Sequence, residues 1–282
     1  MIIFPVMLVS VVFVFGASIG SFLNVVVYRL PAGLSLLRPP SHCPHCLHPL
    51  AMRDNVPVFG WLWLRGKCRY CRTAIAPRYP IVEAVTGILF VAVLRNVAGP
   101  SLLNLDPVLL LGHWILISWL LALALIDADT MTLPNPLTQS GLVLGLLYQG
   151  AVGWSATGQV IGLITHLMGG IIGAVLGIWL LDAIFIIGSM VLGQAALGGG
   201  DAKLAALMGA WLGWKYLLLA GFLACAFGAV VGTTAMALGW LKRRQPMPFG
   251  PFLALGTGVA LFWGESILSI YLSLFFPAPN GL

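Results

Sequence analysis

Carboxylates are scarce in this chain. Its 282 residues hold 8 Asp and Glu against 14 Lys and Arg, for a net charge of +6. Only 8% of residues are charged and 60% are apolar, with a mean hydropathy of +1.02; about a quarter of an average soluble domain is charged. That excludes an ordinary soluble domain. Ile2 to Tyr28 lacks the basic start of a cleavable signal and is long enough to span, so it is expected to stay in the protein. An internal repeat is also missing, which argues against a transporter built from two related halves. No established nucleic-acid motif appears, and nucleic acid is not an expected partner.

What remains is a polytopic membrane protein. A span needs about 20 predominantly apolar residues, and candidates lie near 5–28, 81–98, 107–126, 136–152, 160–185, 202–218, 219–241 and 252–276. The expected fold is therefore all-α, with about eight transmembrane helices. Eight of the fourteen cations (Arg29, Arg38, Arg53, Arg65, Lys67, Arg69, Arg72 and Arg78) fall in residues 29–80. By the positive-inside rule this loop is cytoplasmic, its cations facing anionic headgroups of the membrane lipids. Counting spans from there places the Asp127 loop, the Asp201 region and the Lys242-Arg243-Arg244 triplet on the same side. Three parts follow: a first transmembrane helix (1–28), a cytoplasmic zinc-knuckle domain (29–80) and a transmembrane core (81–282).

Four of the five cysteines lie in the polar loop, as Cys43-Pro44-His45-Cys46 and Cys68-Arg69-Tyr70-Cys71. Two such knuckles, separated by residues 47–67, have the spacing of a tetrathiolate zinc site. A reducing cytosol disfavours disulfides, and Lys67, Arg69 and Arg72 favour the thiolate form; a redox role is the alternative. Four thiolates close the tetrahedron, so the zinc is expected to be structural, tying together a segment too short for its own core. His42, His45 and His48 then read as exposed loop residues. Cys225, alone in an apolar run, reads as a small buried packing residue.

Asp127 and Asp129 share the stretch Asp127-Ala128-Asp129-Thr130-Met131-Thr132-Leu133-Pro134-Asn135, and Asp201 closes Gly198-Gly199-Gly200-Asp201-Ala202-Lys203. An ionisable group against a membrane segment is a functional-site hypothesis by default. Two residues apart on a helix, Asp127 and Asp129 point about 200° from one another, so both cannot face the same partner. The glycines before Asp201 leave room for a bend or for an extended peptide. Paired carboxylates that share a proton perform aspartic-protease chemistry, one as base toward water and the other as donor to the scissile carbonyl. Asp129 has the alternative reading of an interfacial cap. Lys203 reads as either a neighbour of the pair or an interfacial anchor, and Asp182 and Glu265 as polar contacts between helices. A proton-relay transporter, or an assembly module that recruits a partner through the zinc loop, are the rival classes.

The chain resembles the type IV prepilin peptidases over nearly its whole length. The likeness runs through Gly20-Ser21-Phe22-Leu23-Asn24-Val25-Val26 with Arg29, both cysteine knuckles, Arg53-Asp54-Asn55-Val56-Pro57 and Arg78-Tyr79-Pro80-Ile81-Val82-Glu83. It continues through the two aspartate motifs to Pro248-Phe249-Gly250-Pro251-Phe252. The resemblance implies a bacterial inner-membrane aspartyl protease whose catalytic pair falls on Asp127 and Asp201. Its implied substrates are leaders of prepilins or type II secretion pseudopilins, cut on the cytoplasmic side, and S-adenosylmethionine then methylates the new N-terminus. A narrower reading keeps the peptidase alone. No nucleotide-type glycine motif with a downstream acid marks the methyl-donor site; Asn24, Arg29, Asp54, Asn55 and Glu83 are the candidates.

Overall fold

The computed structural model describes residues 3–99, 105–192, 198–242 and 245–276. Leu197, Arg243 and Arg244 lie outside the described residues. Eight α-helices carry the described chain: α1 (Ile3–Arg29), α2 (Phe59–Trp63), α3 (Arg78–Ala98), α4 (Pro107–Thr130), α5 (Asn135–Thr157), α6 (Val160–Leu192), α7 (Asp201–Ala237) and α8 (Gly250–Phe275). The described residues hold no strand, only two isolated bridges in the polar loop. Six helices, all but α2 and α5, are long and apolar enough to cross a membrane, and the protein is a multi-pass membrane protein. In hydrocarbon a segment must satisfy its own backbone hydrogen bonds, so apolar runs of this length fold as helices.

The chain divides into two compact units, Met1–Ala122 and Leu123–Leu282. In the first, α1 packs on α3 where small residues let the backbones meet. A side chain at Gly20 would come within 2.8 Å of the Glu83 Cα, and one at Gly87 within 2.8 Å of the Phe13 ring. Trp114 of α4 stacks on Phe90 at 5.0 Å with the rings 7° apart, and its indole N–H donates to the Phe90 carbonyl at 3.0 Å.

In the second unit α7 is not one rod. Gly213 has φ 71° and ψ 172°, outside any helix, and the contacts on either side of it run in opposite directions. Before the break, Gly209 meets Gly173 and Ala205 meets Gly177, so residues 201–212 lie antiparallel to α6. After it, Tyr216 meets Gly264, Ala220 meets Gly256, and Gly228 faces Phe249 and Phe252, so residues 214–237 run back antiparallel to α8. The chain therefore reverses at Gly213 rather than between 218 and 219, and six helices are candidate spans where about eight were expected. A positive φ is easy only for glycine. The break deprives carbonyls of their helical partners, and the Gln149 side-chain amide of α5 donates to the Trp211 carbonyl at 2.8 Å. Trp214 and Lys215 at the reversal stack as a cation on a ring at 5.8 Å, residue types suited to a membrane interface.

Helix α5 is a helix as expected, but it carries Gln139, Ser140 and Gln149 and is absent from the six apolar spans. Gln139 and Ser140 are exposed, while Gln149 bonds the Trp211 carbonyl and the Gly141 carbonyl accepts the Trp211 indole N–H at 2.8 Å.

Candidate active site and metal centre

The reversal in α7 decides what gathers at one end of the second unit. The C-terminal end of α4, the N-termini of α5, α7 and α8, and the return from residue 237 all lie there. Asp127 occupies the last turn of α4 and Asp201 the first residue of α7. Both carboxylates are 5% exposed and close enough to interact electrostatically.

Their hydrogen bonds differ in origin. Asp127 Oδ2 accepts the backbone N–H of Gly250, the first residue of α8, at 2.8 Å. Asp201 Oδ2 accepts the N–H of Gly198 from its own glycine turn at 3.0 Å, and its position at a helix start suits an anion. A side chain at Gly200 would press on Leu133 at 3.0 Å, so the glycine turn seats against the stretch that follows α4. Asp129, still on α4, is exposed while Asp127 is buried, as the 200° separation requires. Lys203 Nζ donates to Asn135 Oδ1 at 2.7 Å; it ties the starts of α5 and α7 together instead of pairing with a carboxylate. Asp182 and Glu265 are exposed on α6 and α8. Neither is buried between helices as its place in an apolar run suggested, and Cys225 of α7 is likewise exposed rather than buried.

Sequence reasoning named Asp127 and Asp201, which the structure brings together, but not the Gly250 amide beside Asp127. Backbone donors carry no residue signature; the glycine between Phe249 and Pro251 was the available cue.

The four cysteines of the first unit converge. Their sulfurs all lie within 4.8 Å of one another, with Cys43 and Cys71 at 3.7 Å; four thiolates around zinc at 2.3 Å would be about 3.8 Å apart. The donor set fits such an ion. Each knuckle is the same local structure. The residue after the second cysteine, Leu47 or Arg72, has φ 56° or 60°. Its N–H bonds the carbonyl of the first cysteine, at 2.9 Å from Leu47 to Cys43 and 3.1 Å from Arg72 to Cys68. The first cysteine's N–H bonds back to His48 or Thr73. Backbone N–H groups of Cys46 and His45 pull the Cys43 thiol down, and the Thr73 hydroxyl and N–H pull Cys71 down to about 6. At Cys46 the His48 N–H pulls down, but desolvation and the neighbouring sulfurs push the thiol up to about 11. A divalent cation held by the four sulfurs would remove that crowding of charge.

Around this centre, Arg69 donates through Nε to Asp54 Oδ1 at 2.8 Å, and Nη2 bonds the same oxygen. That pairing holds the Asp54 carboxyl below the usual range. Glu83 of α3 is buried and accepts the Val58 N–H at 2.7 Å, and Asn24 donates to the Tyr79 carbonyl at 3.2 Å. Arg29 is buried, donating to the carbonyls of Ser35 at 3.0 Å and Pro39 at 2.7 Å; it folds the loop onto the end of α1. Asn55 is exposed.

Residues 14–97 match the model of the bacterial peptidase A24 N-terminal domain, and residues 114–233 that of the type IV leader peptidase family. A prepilin leader peptidase/N-methyltransferase of Aeromonas hydrophila is 38% identical over 295 residues, covering 96% of each chain. The chain belongs to the type IV leader peptidase family. Two further relatives of the leader peptidases carry the same name. The protein of Pectobacterium carotovorum subsp. carotovorum is 39% identical, with 90% of this chain and 92% of its own covered. That of Stutzerimonas stutzeri is 35% identical, with 95% of each covered. No solved structure matches this leader peptidase.

Proposed function

We propose that this enzyme cleaves the leader of prepilins or type II secretion pseudopilins and then methylates the new N-terminus with S-adenosylmethionine. The observation that carries the peptidase half is the meeting of two buried carboxylates, Asp127 and Asp201, at one end of the second unit. One takes a proton from water, whose oxygen attacks the scissile carbonyl while the other gives its proton to the carbonyl oxygen. Collapse of the tetrahedral intermediate returns a proton to the leaving amine and releases the leader's new C-terminus. Buried carboxylates on helix ends suit this role because their neighbours exclude bulk water and fix their geometry.

The site faces the cytoplasm of a bacterium from its inner membrane, the side where leaders are exposed and where the basic loop belongs. The metal held by Cys43, Cys46, Cys68 and Cys71 is zinc in a structural role, since four thiolates leave no open position for water. The working parts are the first helix (1–28), the zinc-knuckle domain (29–80) and the protease core (81–282). S-adenosylmethionine supplies an electrophilic methyl group to the freed amine. Of the residues considered for that half, Arg29, Asp54 and Glu83 are held by internal hydrogen bonds, which makes them supports of the loop's shape.

The test is cleavage of a prepilin-like substrate in detergent or lipid by the wild type and by Asp127→Ala, Asp129→Ala and Asp201→Ala. Loss in the Asp127 and Asp201 variants, with Asp129→Ala active and all four folded, is the expected result. Normal cleavage by Asp201→Ala overturns the dyad. A mass increment of one methyl group on the new N-terminus, present only with S-adenosylmethionine, tests the second activity.

A further inference from the structure

We propose that Gly250 is a positioning residue for leader cleavage: its N–H holds the Asp127 carboxylate from the head of α8, and its missing side chain is the space that carboxylate fills. The inference rests on the reading of Asp127 as one half of the catalytic pair.

Asp127 stands at an awkward place. It lies in the last turn of α4, where unpaired groups are carbonyls and the helix dipole opposes an anion. Its own carbonyl already accepts the Met131 N–H at 2.8 Å. A donor for its side chain must come from elsewhere, and the first turn of a long helix offers free N–H groups. Gly250 begins α8, a helix of 26 residues, and donates to Asp127 Oδ2 at 2.8 Å. Pro251 follows it; a proline in the first turn fixes the start of a helix, and so the position of that N–H.

The second observation is steric. A side-chain carbon at residue 250 would stand 2.7 Å from Asp127 Oδ2, 3.0 Å from its Cγ and 3.1 Å from its Cβ. The obstacle is the whole carboxymethyl group, so rotation of its tip gives no relief. Backbone conformation does not demand glycine here, since residue 250 is absent from the positive-φ positions, and alanine is the better helix former. Space beside the carboxylate is the reason left. Asp201 has no such dependence: a side chain at its donor Gly198 would reach only ordinary contact, 3.5 Å from Asp201 Oδ2.

The experiment compares the full chain, in detergent or lipid with a prepilin-like peptide, as wild type, Gly250→Ala, Gly258→Ala and Asp127→Ala. Gly258 lies on the same helix with nothing within 4 Å of an added side chain, so it controls for the change in helix propensity. The expected result for Gly250→Ala is a kcat lower by about 10- to 100-fold, the scale of a misplaced catalytic group, with KM within about twofold and Gly258→Ala like wild type. A kcat for Gly250→Ala within about twofold of Gly258→Ala overturns the proposal, as does a loss carried by KM. A second readout stands apart from activity: Gly250→Ala should lower the thermal midpoint in the wild type and do so much less in an Asp127→Ala background, where the obstructing carboxylate is gone. An equal drop in both backgrounds assigns Gly250 a general packing role and overturns the proposal. Cleavage by Asp127→Ala would instead sink the dyad reading, an outcome separate from these.

Discussion

The cysteine centre and the aspartate pair are built in opposite ways. Each cysteine knuckle closes within six residues, by the same N–H to carbonyl bonds and the same left-handed residue after its second cysteine. Only one short segment then separates the two knuckles. The aspartates sit on different helices with α5 and α6 between them in the chain, and each takes its hydrogen bond from a different source. The metal centre can form from local turns and an ion; the aspartate pair exists only after four helix ends and a reversal at Gly213 have been assembled. A site of the first kind should tolerate damage to helix packing, and one of the second kind should not.

The largest expected effect divides the two regions cleanly. Asp127→Ala or Asp201→Ala should lower cleavage by about 10²–10⁴-fold, the range for a positioned acid or base, with metal content unchanged; Asp129→Ala should stay close to wild type. Retained cleavage in either of the first two, measured by mass of the product, would break the assignment.

Next in size is Cys68→Ser, a substitution at a residue that is 2% exposed. It should take the zinc content from about one ion per chain to nearly none, and expose the 29–80 loop to proteolysis while the helical signal persists. Metal analysis of the purified protein reads it directly. Full zinc content in that variant would show that the four sulfurs are not the ligands.

The packing of the second unit gives a third test. Gly209 and Gly173 bring α7 and α6 into backbone contact, so Gly209→Val must drive the helices apart, at a cost of about 1–3 kcal/mol for overpacking. Thermal unfolding should fall and cleavage with it, while zinc stays bound. Loss of zinc in parallel would mean that the two sites are not independent.

The ion pair beside the metal centre should show a smaller effect. The Asp54 side chain is 1% exposed, so Arg69→Met leaves a buried charge alone and should lower the midpoint more than the double change Asp54→Leu with Arg69→Met. Because Arg69 holds the Asp54 carboxyl below its unfolded value, the pair's contribution is complete above about pH 4 and fades as pH falls through the lowered folded value. The difference between wild type and Asp54→Asn should narrow over that acid range. The smallest effect is Lys203→Met, which removes one exposed hydrogen bond to Asn135; cleavage should drop by less than about tenfold, the scale of a single net hydrogen bond.

Much of this was legible in the chain because the signals are local. Long apolar runs specify helices in a membrane; two Cys-x-x-Cys knuckles specify a four-thiolate cluster that can hold a metal. Asp127 stood out from Asp129 once the resemblance to the prepilin peptidases was drawn, and helix periodicity already required that only one of them face inward. Less was legible wherever a backbone group or a packing distance decides. The reversal at Gly213 was hard to place because the sequence there has no proline, and Lys215 beside Trp214 was its one polar mark. Asp182 and Glu265 looked like contacts between helices because composition does not reveal which side of α6 or α8 is covered.

The sequence by itself determined that this is a helical, multi-pass membrane protein with a four-thiolate centre and two candidate catalytic aspartates, because hydropathy, spacing and scarcity of charge are properties of neighbouring residues. Only the tertiary structure decided that α7 folds back on itself and brings the head of α8 to Asp127, that Lys203 bonds Asn135, and that the Asp127 carboxylate occupies the space a side chain at Gly250 would need. Those outcomes depend on which helix ends meet, and such meetings are set by the packing of small residues far apart in the chain.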